Sequence, residues 1–382
     1  MKILAAQYGI ELFGRERENI ECYKSFKRLG HEVQVFGSYR AEHGGQTGLL
    51  LTQLGLKCGE LPFGSHFSLE YFKRMKGYWW LQIKRVYWCS TLMRKKAREM
   101  DADAIFLGGT MEFLYLWPFL FLQKRPIIYR VGDAPPWDSW FHKAVTRTLL
   151  RKAKLIVPVS HFIKNECNKL SHLSETKCQV IWNIPPVFTS AKQPFQDTHK
   201  SDGLKLVFVG QITEKKGVKV LLQALASLKE HPFKCRIVGG SEFTGPLEQE
   251  LHDMTESLGL ANMVKFTGRV NDPTPHYAWA DLHIAPSIYE EPFGLVIVEA
   301  KREGVPSIIF PLGGMPELIK HNENGWVCAN VSSTSLAEAI LSCRDKPLEK
   351  WGLTAKKDEE QNFSTQRFDR DWNRILELLL TA

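Results

Sequence analysis

The chain has 382 residues, 44% hydrophobic and 24% charged, with a formal net charge of +8. That length exceeds what one ordinary hydrophobic core organises, so two domains are expected. The composition excludes a disordered or fibrous chain, and no window of about 18 uninterrupted apolar residues marks a transmembrane helix. The eight cysteines, scattered from Cys22 to Cys343, form no C-x-x-C pair and no Cys/His cluster with zinc spacing. That argues for a reducing compartment and against a disulfide framework or a structural metal. The opening M-K-I-L-A-A-Q-Y reaches Glu11 too soon for the apolar region of a signal peptide, so a cytoplasmic location is the expectation.

In chain order, Lys2 to Gln7 reads as a first buried strand. A helix opens at Gly14 to Arg17, runs through Leu29 and stops at Gly30; Glu32 to Phe36 is the second strand. Strand, helix, strand points to a parallel sheet. No G-x-G-x-x-G follows the first strand, so no dinucleotide site is assigned.

Residues 71–98 then combine nine basic side chains, among them Lys84, Arg85, Lys95 and Arg98, with Tyr71, Trp79, Trp80, Tyr87 and Trp88, and contain no Asp or Glu. Basic groups beside interfacial aromatics suit an anionic membrane surface. They also suit single-stranded nucleic acid. They equally suit an ordinary amphipathic helix whose aromatics are core and whose lysines face water. No nucleic-acid motif accompanies the segment, so nucleic acid is not expected as a partner.

Asp101 and Asp103 are spaced as a metal-chelating pair, but they directly precede the apolar Ala104–Leu107 and read as a turn before a buried strand; no metal site is assigned. Arg125 to Val131 is a further strand, ending at Gly132-Asp133. Asp133 is either a turn residue or a carboxylate facing a ligand, and Arg130 is its alternative. Leu155 to Ser160 is the next strand, with Ser160 an N-cap, and Gln179 to Asn183 a short one. The polar, aperiodic run Thr189 to Gly203 reads as an interdomain linker.

The second half opens on the buried strand Leu204 to Val209, followed by Gly210-Gln211-Ile212-Thr213-Glu214-Lys215-Lys216-Gly217 and a helix from Val218 to Leu228. Phe233 to Val238 with Gly239-Gly240 is a strand and tight turn; Asn262 to Phe266 leads into Thr267-Gly268-Arg269-Val270. The most informative stretch is S-I-Y-E-E-P-F-G-L-V-I-V-E, Ser287 to Glu299, between an apolar strand and a helix that stops at Gly304. Phe293, Gly294 and Leu295 sit at a helix N-terminus, where unpaired backbone N–H groups favour phosphate. Glu291 and Glu299 flank that end, an arrangement suited to a ligand with hydroxyls on either side of a diphosphate. Pro311 to Glu317 is a second glycine loop opening a helix, and Trp326 to Ala329 is a short strand. The tail, Phe363 to Leu380, is a helix with Phe368, Trp372, Ile375, Leu376 and Leu379 on one side.

The run S-x2-E-E-P-F-G-L-V-x2-E-A, with G-V-P-S-I-I and G-G-M-P-E-L-I after it, resembles the donor-site signature of the family 4 glycosyltransferases. These are retaining, nucleotide-sugar-dependent enzymes of the GT-B architecture. The resemblance extends from about Val207 to Ala339; the N-terminal half is similar only loosely. The segment from Gly210 resembles the family's G-R-L-x4-K-G, with Lys216 at the lysine position and Gln211 where the family has arginine. The family's His near the donor sugar has no counterpart beside Gly132.

The resemblance implies an α/β fold with two Rossmann-like domains facing a cleft. The expected division is an acceptor-side domain over 1–188, a linker over 189–203, a donor domain over 204–362, and a helix over 363–382 crossing back to the first domain. It implies a nucleotide-diphosphate sugar as co-substrate, no separate cofactor, and a glycan or lipid-linked acceptor in cell-surface polysaccharide or glycoconjugate synthesis. Glu299 is expected at the ribose and Glu291 at the sugar. Lys216, the segment at Gly294 and Leu295, and the loops at Gly210, Gln211, Gly239, Gly268 and Val270 are expected around the diphosphate and base. Asp133 is a further catalytic candidate. The alternatives are a degenerate glycosyltransferase serving as a scaffold, which the missing Arg and His motivate, and a GT-B epimerase. Docking on the inner face of a membrane through residues 71–98 is the accompanying expectation.

Overall fold

The computed structural model describes residues 1–9, 14–38, 46–63, 77–135, 140–186, 203–240 and 245–380. These divide into two units, one of Met1–Asn183 with Thr365–Ala382, the other of Ile184–Ser364. The linker expected over 189–203 falls, except for Gly203, outside the described residues.

The first unit is built on six parallel strands: β1 Lys2–Gln7, β2 Glu32–Gly37, β3 Lys57–Glu60, β4 Ala104–Leu107, β5 Ile127–Val131 and β6 Leu155–Pro158. Their order is β3-β2-β1-β4-β5-β6, so the winding reverses between β1 and β4. β4, β5 and β6 are buried along their whole length, as expected for parallel strands covered on both faces. The intervening helices are Gly14–Arg28, Gln46–Gln53, Tyr78–Glu99, Thr110–Leu122, Trp140–Lys152 and His161–Leu170. Ser160 caps the last of these, its side chain accepting the Ile163 N–H at 3.1 Å.

The helix Thr365–Leu380 packs on Gly14–Arg28. Its apolar stripe brings the fully buried Trp372 edge-on to Phe26, with ring centroids 4.9 Å apart, and close to Phe106. Arg28 closes this packing with a two-pronged contact to Asp369, both bonds 2.7 Å.

The second unit repeats the plan with β7 Leu204–Val209, β8 Phe233–Val238, β9 Val264–Gly268, β10 Leu282–Ala285, β11 Ser307–Ile309 and β12 Gly325–Val327. All are parallel, in the order β12-β11-β10-β7-β8-β9, and the winding reverses between β7 and β10. Leu206, Phe208, Leu221, Ile237, Ile284 and Ile308 form the centre of its core. The helix Leu295–Arg302 is pinned from behind by Leu348–Asn362: the buried Lys301 pairs with Asp358, and Arg302 donates to Glu359 at 2.9 Å and to the Pro186 carbonyl at 2.9 Å.

Some elements depart from the sequence reading. Residues 179–183 are not a strand: they run beside β6 with the Gln179 and Ile181 N–H groups donating to Ile156 and Pro158, and the pairing stops before Pro185-Pro186, which have no N–H to give. The helix expected to Leu228 closes at Ala226, its last turn tightening into three-residue bonds from Ser227 and Leu228. The loop at 311–317 opens a 3-10 turn, Met315–Leu318, rather than a longer helix.

The acidic pair before β4 is put to structural use. Asp101 turns the chain at φ 51, and the Asp103 carboxylate accepts the Lys2 N–H at 2.7 Å. All eight cysteines are unpaired. Among the described residues no helix is long and apolar enough to cross a membrane.

Candidate active site

In open α/β sheets, ligands sit beyond the carboxyl ends of the strands where the winding reverses. In the second unit that point lies between β7 and β10, and the predicted residues gather around it. After β7 the chain turns through Gly210 and Gln211 into a 3-10 turn, Glu214–Lys216, and then Gly217. After β10 it runs through Ser287, Tyr289 and Glu291 to Gly294, where the helix Leu295–Arg302 begins. The two loops are stitched together: the Ile288 N–H donates to the Lys215 carbonyl at 2.8 Å. Gly217 has φ 73, and a Cβ there would lie 1.9 Å from the Pro286 carbonyl oxygen, so no other residue lets the loops approach this closely.

The approach places Lys216 against Glu291. The ammonium and the Glu291 Oε1 form an ion pair across 75 residues of sequence, with the lysine side chain 25% and the glutamate 6% exposed. Tyr289 joins it from below: its hydroxyl lies 3.4 Å from the same oxygen, and its ring is 5.6 Å from both the Lys215 and the Lys216 ammonium groups. Among the described residues the second oxygen of Glu291 is buried without a partner. Burial pushes the Lys216 ammonium from its ordinary 10.5 down to about 8.

Glu291 is also fixed through its backbone. Its carbonyl accepts the Gly314 N–H at 2.7 Å, and a Cβ on Gly313 (φ 61) would fall 2.2 Å from that same carbonyl oxygen. The loop at 311–314 therefore braces the glutamate.

The helix Leu295–Arg302 opens without a side-chain cap, and the N–H groups of Leu295 and Val296 have no acceptor within the helix. Phe293 turns its ring inward, 2% exposed and 6.2 Å from Phe363, so its contribution to a ligand is confined to the backbone. Glu299, one turn into the helix, accepts a hydrogen bond of 3.0 Å from the Tyr277 hydroxyl.

Gly210, Gly239 and Gly268 line up at the ends of β7, β8 and β9. The Gly210 N–H donates to Val238 and the Gly239 N–H to Gly268, each at 3.0 Å. Gln211 is half-buried beside this row. Val270 packs on the small cluster of Val207, Val238, Tyr277 and Ala300.

Asp133 belongs to the first unit. It is exposed at the end of β5 and lies 3.7 Å from Arg15, whose guanidinium also contacts Glu16 and the Tyr8 carbonyl. Arg130, its alternative, is turned the other way. It is fully buried, donates to Asn183 and to the Val157 and Pro158 carbonyls, and lies 5.8 Å over the Trp372 ring. Its burial holds its pKa below the ordinary arginine value.

Two tyrosines were missed by the sequence reading. Tyr289 stands two positions before Glu291 inside the diagnostic run, a signal that could have been taken. Tyr277 offered none, because its contact with Glu299 is made only by the fold.

Two doubly wound parallel sheets, the second bearing a Lys–Glu pair beside a helix end at its reversal point, give the chain the GT-B architecture. Residues 189–358 match the family described as glycosyl transferases group 1. The match lies within the second unit, over which the chain is similar to these glycosyltransferases. It is 29% identical over 277 residues to an uncharacterised glycosyltransferase of Methanocaldococcus jannaschii, covering 68% of this chain and 69% of that one. It is 26% identical over 235 residues to the N-acetyl-alpha-D-glucosaminyl L-malate synthase of Bacillus anthracis, covering 59% and 60%. Among solved structures, HepE of Anabaena in complex with UDP superposes with a TM-score of 0.81 at 22% identity over 99% of this chain and 100% of that one. A glycosyltransferase of Rickettsia africae does so with a TM-score of 0.81 at 21% identity over 99% and 98%.

Proposed function

We propose that the chain transfers a sugar, with retention, from a nucleotide-diphosphate donor bound at the second unit to a glycan or lipid-linked acceptor. The observation that carries this is the Lys216–Glu291 pair, held where two loops meet beyond β7 and β10, with one glutamate oxygen buried and unpartnered.

In this reading Glu299 binds the ribose hydroxyls. Lys216 and the first-turn N–H groups of Leu295–Arg302 take the diphosphate, whose charge grows as it departs; such aimed donors are the usual means of stabilising that change. Lys216 thereby leaves Glu291, which turns to a sugar hydroxyl and to the positive charge developing at the anomeric carbon. The leaving diphosphate needs no proton, so the paired acids of glycoside hydrolases have no role. No metal ion takes part in this scheme. The loops at Gly210, Gly239, Gly268 and Val270 surround the nucleotide with backbone groups. Asp133 remains a candidate group of the first unit for the acceptor side.

HepE of Anabaena was solved with UDP and with UDP-glucose, which makes uridine the first base to try. Titration of the protein with UDP, GDP and ADP is expected to find one preferred nucleotide. Glu299→Ala is expected to weaken that nucleotide about tenfold or more, the usual effect of losing hydrogen bonds to a charged group. Unchanged affinity would remove Glu299 from the site. Gln211, in the place of the family's arginine, favours one second reading, a non-catalytic binding subunit. Nucleotide binding without sugar transfer to any acceptor would establish that reading.

We also propose that the protein docks on an anionic membrane. In the helix Tyr78–Glu99 the buried positions are Tyr78, Gln82, Cys89, Ser90, Met93 and Ala97, whereas Trp79, Trp80, Ile83, Tyr87 and Trp88 are exposed. An amphipathic helix with its aromatics in the core would have the opposite pattern. Residues 71–76 lie outside the described residues. The protein is expected to float with phosphatidylserine-containing liposomes at low salt and less at high salt. Recovery without binding at both would dismiss the docking role.

A further inference from the structure

The helix Thr274–Trp279 is six residues long and stands behind the helix that carries Glu299. Its Tyr277 is 1% exposed, yet its hydroxyl reaches 3.0 Å from Glu299 Oε2 and 3.2 Å from the Val296 carbonyl. The carboxylate is the stronger of the two acceptors because it is charged. The tyrosine ring has little freedom to withdraw. It packs edge-on against His283, centroids 5.5 Å apart, and His283 is itself buried on β10 with its Nδ1 2.9 Å from the Ser307 hydroxyl of β11. A chain of buried contacts thus runs from two strands of the sheet through Tyr277 to a half-buried carboxylate on the site's helix.

We propose that Tyr277 is a positioning residue: it holds the Glu299 carboxylate in the orientation that receives the ribose hydroxyls, and so sets the preference of this protein for a ribonucleotide. A glutamate one turn into a helix has three rotatable bonds, and two adjacent hydroxyls are met well only from a narrow range of its positions. Burial and the Glu299 charge both keep the Tyr277 phenol protonated, so it donates throughout the ordinary assay range. The proposal rests on the reading that Glu299 binds ribose.

The test measures the affinity of UDP, GDP and ADP, each beside its 2′,3′-dideoxy form, for the wild-type protein and for Tyr277→Phe. The wild type is expected to favour the ribose form of its nucleotide by about tenfold or more. Tyr277→Phe is expected to lose most of that ratio while binding the dideoxy form within about twofold of the wild type. The preserved dideoxy affinity shows the site intact, which a general loss of structure does not allow. A variant that keeps the wild-type ratio overturns the proposal and leaves the Glu299 assignment standing. So does a variant that weakens both forms equally, because Tyr277 then merely supports the fold. A wild type that binds the two forms alike, or binds none of the three nucleotides, overturns the Glu299 assignment and the proposal together.

Discussion

Lys216→Ala is expected to lower the rate of sugar transfer by about 10²–10³-fold, the range found when one aimed donor is removed from a developing anion. Most of the loss should fall on kcat, because the diphosphate is more highly charged as it leaves than when bound as donor. The pH dependence should identify the residue. The free enzyme holds the Lys216 ammonium at about 8, and a diphosphate raises that value by favouring the charged form. The complex then binds more protons than the free enzyme above pH 8. Nucleotide affinity is therefore full below about pH 8 and falls as pH rises, by up to tenfold per unit, until the value in the complex is reached. Calorimetry at pH 8.5 in buffers of different ionisation enthalpy should show proton uptake on binding, and Lys216→Ala should abolish both the slope and the uptake. An unchanged slope in the variant would remove Lys216 from the diphosphate.

The same lysine has an opposite effect on the folded state without ligand. Its value is lowered from 10.5 to about 8, so between those limits the unfolded chain holds more protons than the native one. This group's contribution to stability thus rises with pH across that window. Removing it leaves the Glu291 carboxylate, 6% exposed, without its cation.

Trp372→Ala is expected to have the largest effect on stability. The indole is fully buried among Phe26, Phe106, Phe368 and the Arg130 guanidinium, and Trp-to-Ala changes in such positions cost about 3–5 kcal/mol. For a unit of this size that corresponds to a fall in melting temperature of roughly 6–20 °C. The loss should be confined to the unit that contains Thr365–Ala382, so a fluorescence or hydrogen-exchange measurement should find the second unit's core unchanged. Trp372→Phe should recover most of the stability, because among the described residues the buried indole N–H has no hydrogen-bond partner. A Phe variant as unstable as the Ala variant would show that the N–H matters after all.

Much of the fold was legible because its signals are local. Apolar runs such as Leu204–Val209 and Leu282–Ala285, each ended by glycine or proline and followed by a helical pattern, mark strand-and-helix units wherever they sit. The helix end at Gly294 and the carboxylates at Glu291 and Glu299 lie within nine residues of one another and were found together. Arg130 shows where such reading stops. It stands in a strand buried along its whole length, and a continuous apolar run does not reveal which face each side chain takes. Only the packing of Trp372 and Asn183 around it turns its guanidinium inward. The aromatic residues of Tyr78–Glu99 pose the same problem. The sequence supplies two sets of large side chains, and it is the helix Thr110–Leu122, packed on one face, that leaves Trp80 and Trp88 outside.

The sequence by itself determined that this protein has two α/β halves, that the loops of its candidate site follow β7 and β10, and that an anion-favouring helix end lies between two glutamates. These follow from hydrophobic period, turn residues and short motifs, which act over a few residues. The tertiary structure alone decided that Lys216 meets Glu291 across 75 residues, that Tyr277 reaches Glu299 from another helix, and that Asp133 sits beside Arg15. Those pairings depend on strand order and on how closely Gly217 and Gly313 let their loops approach, and contacts between distant segments are set by packing rather than by any local pattern.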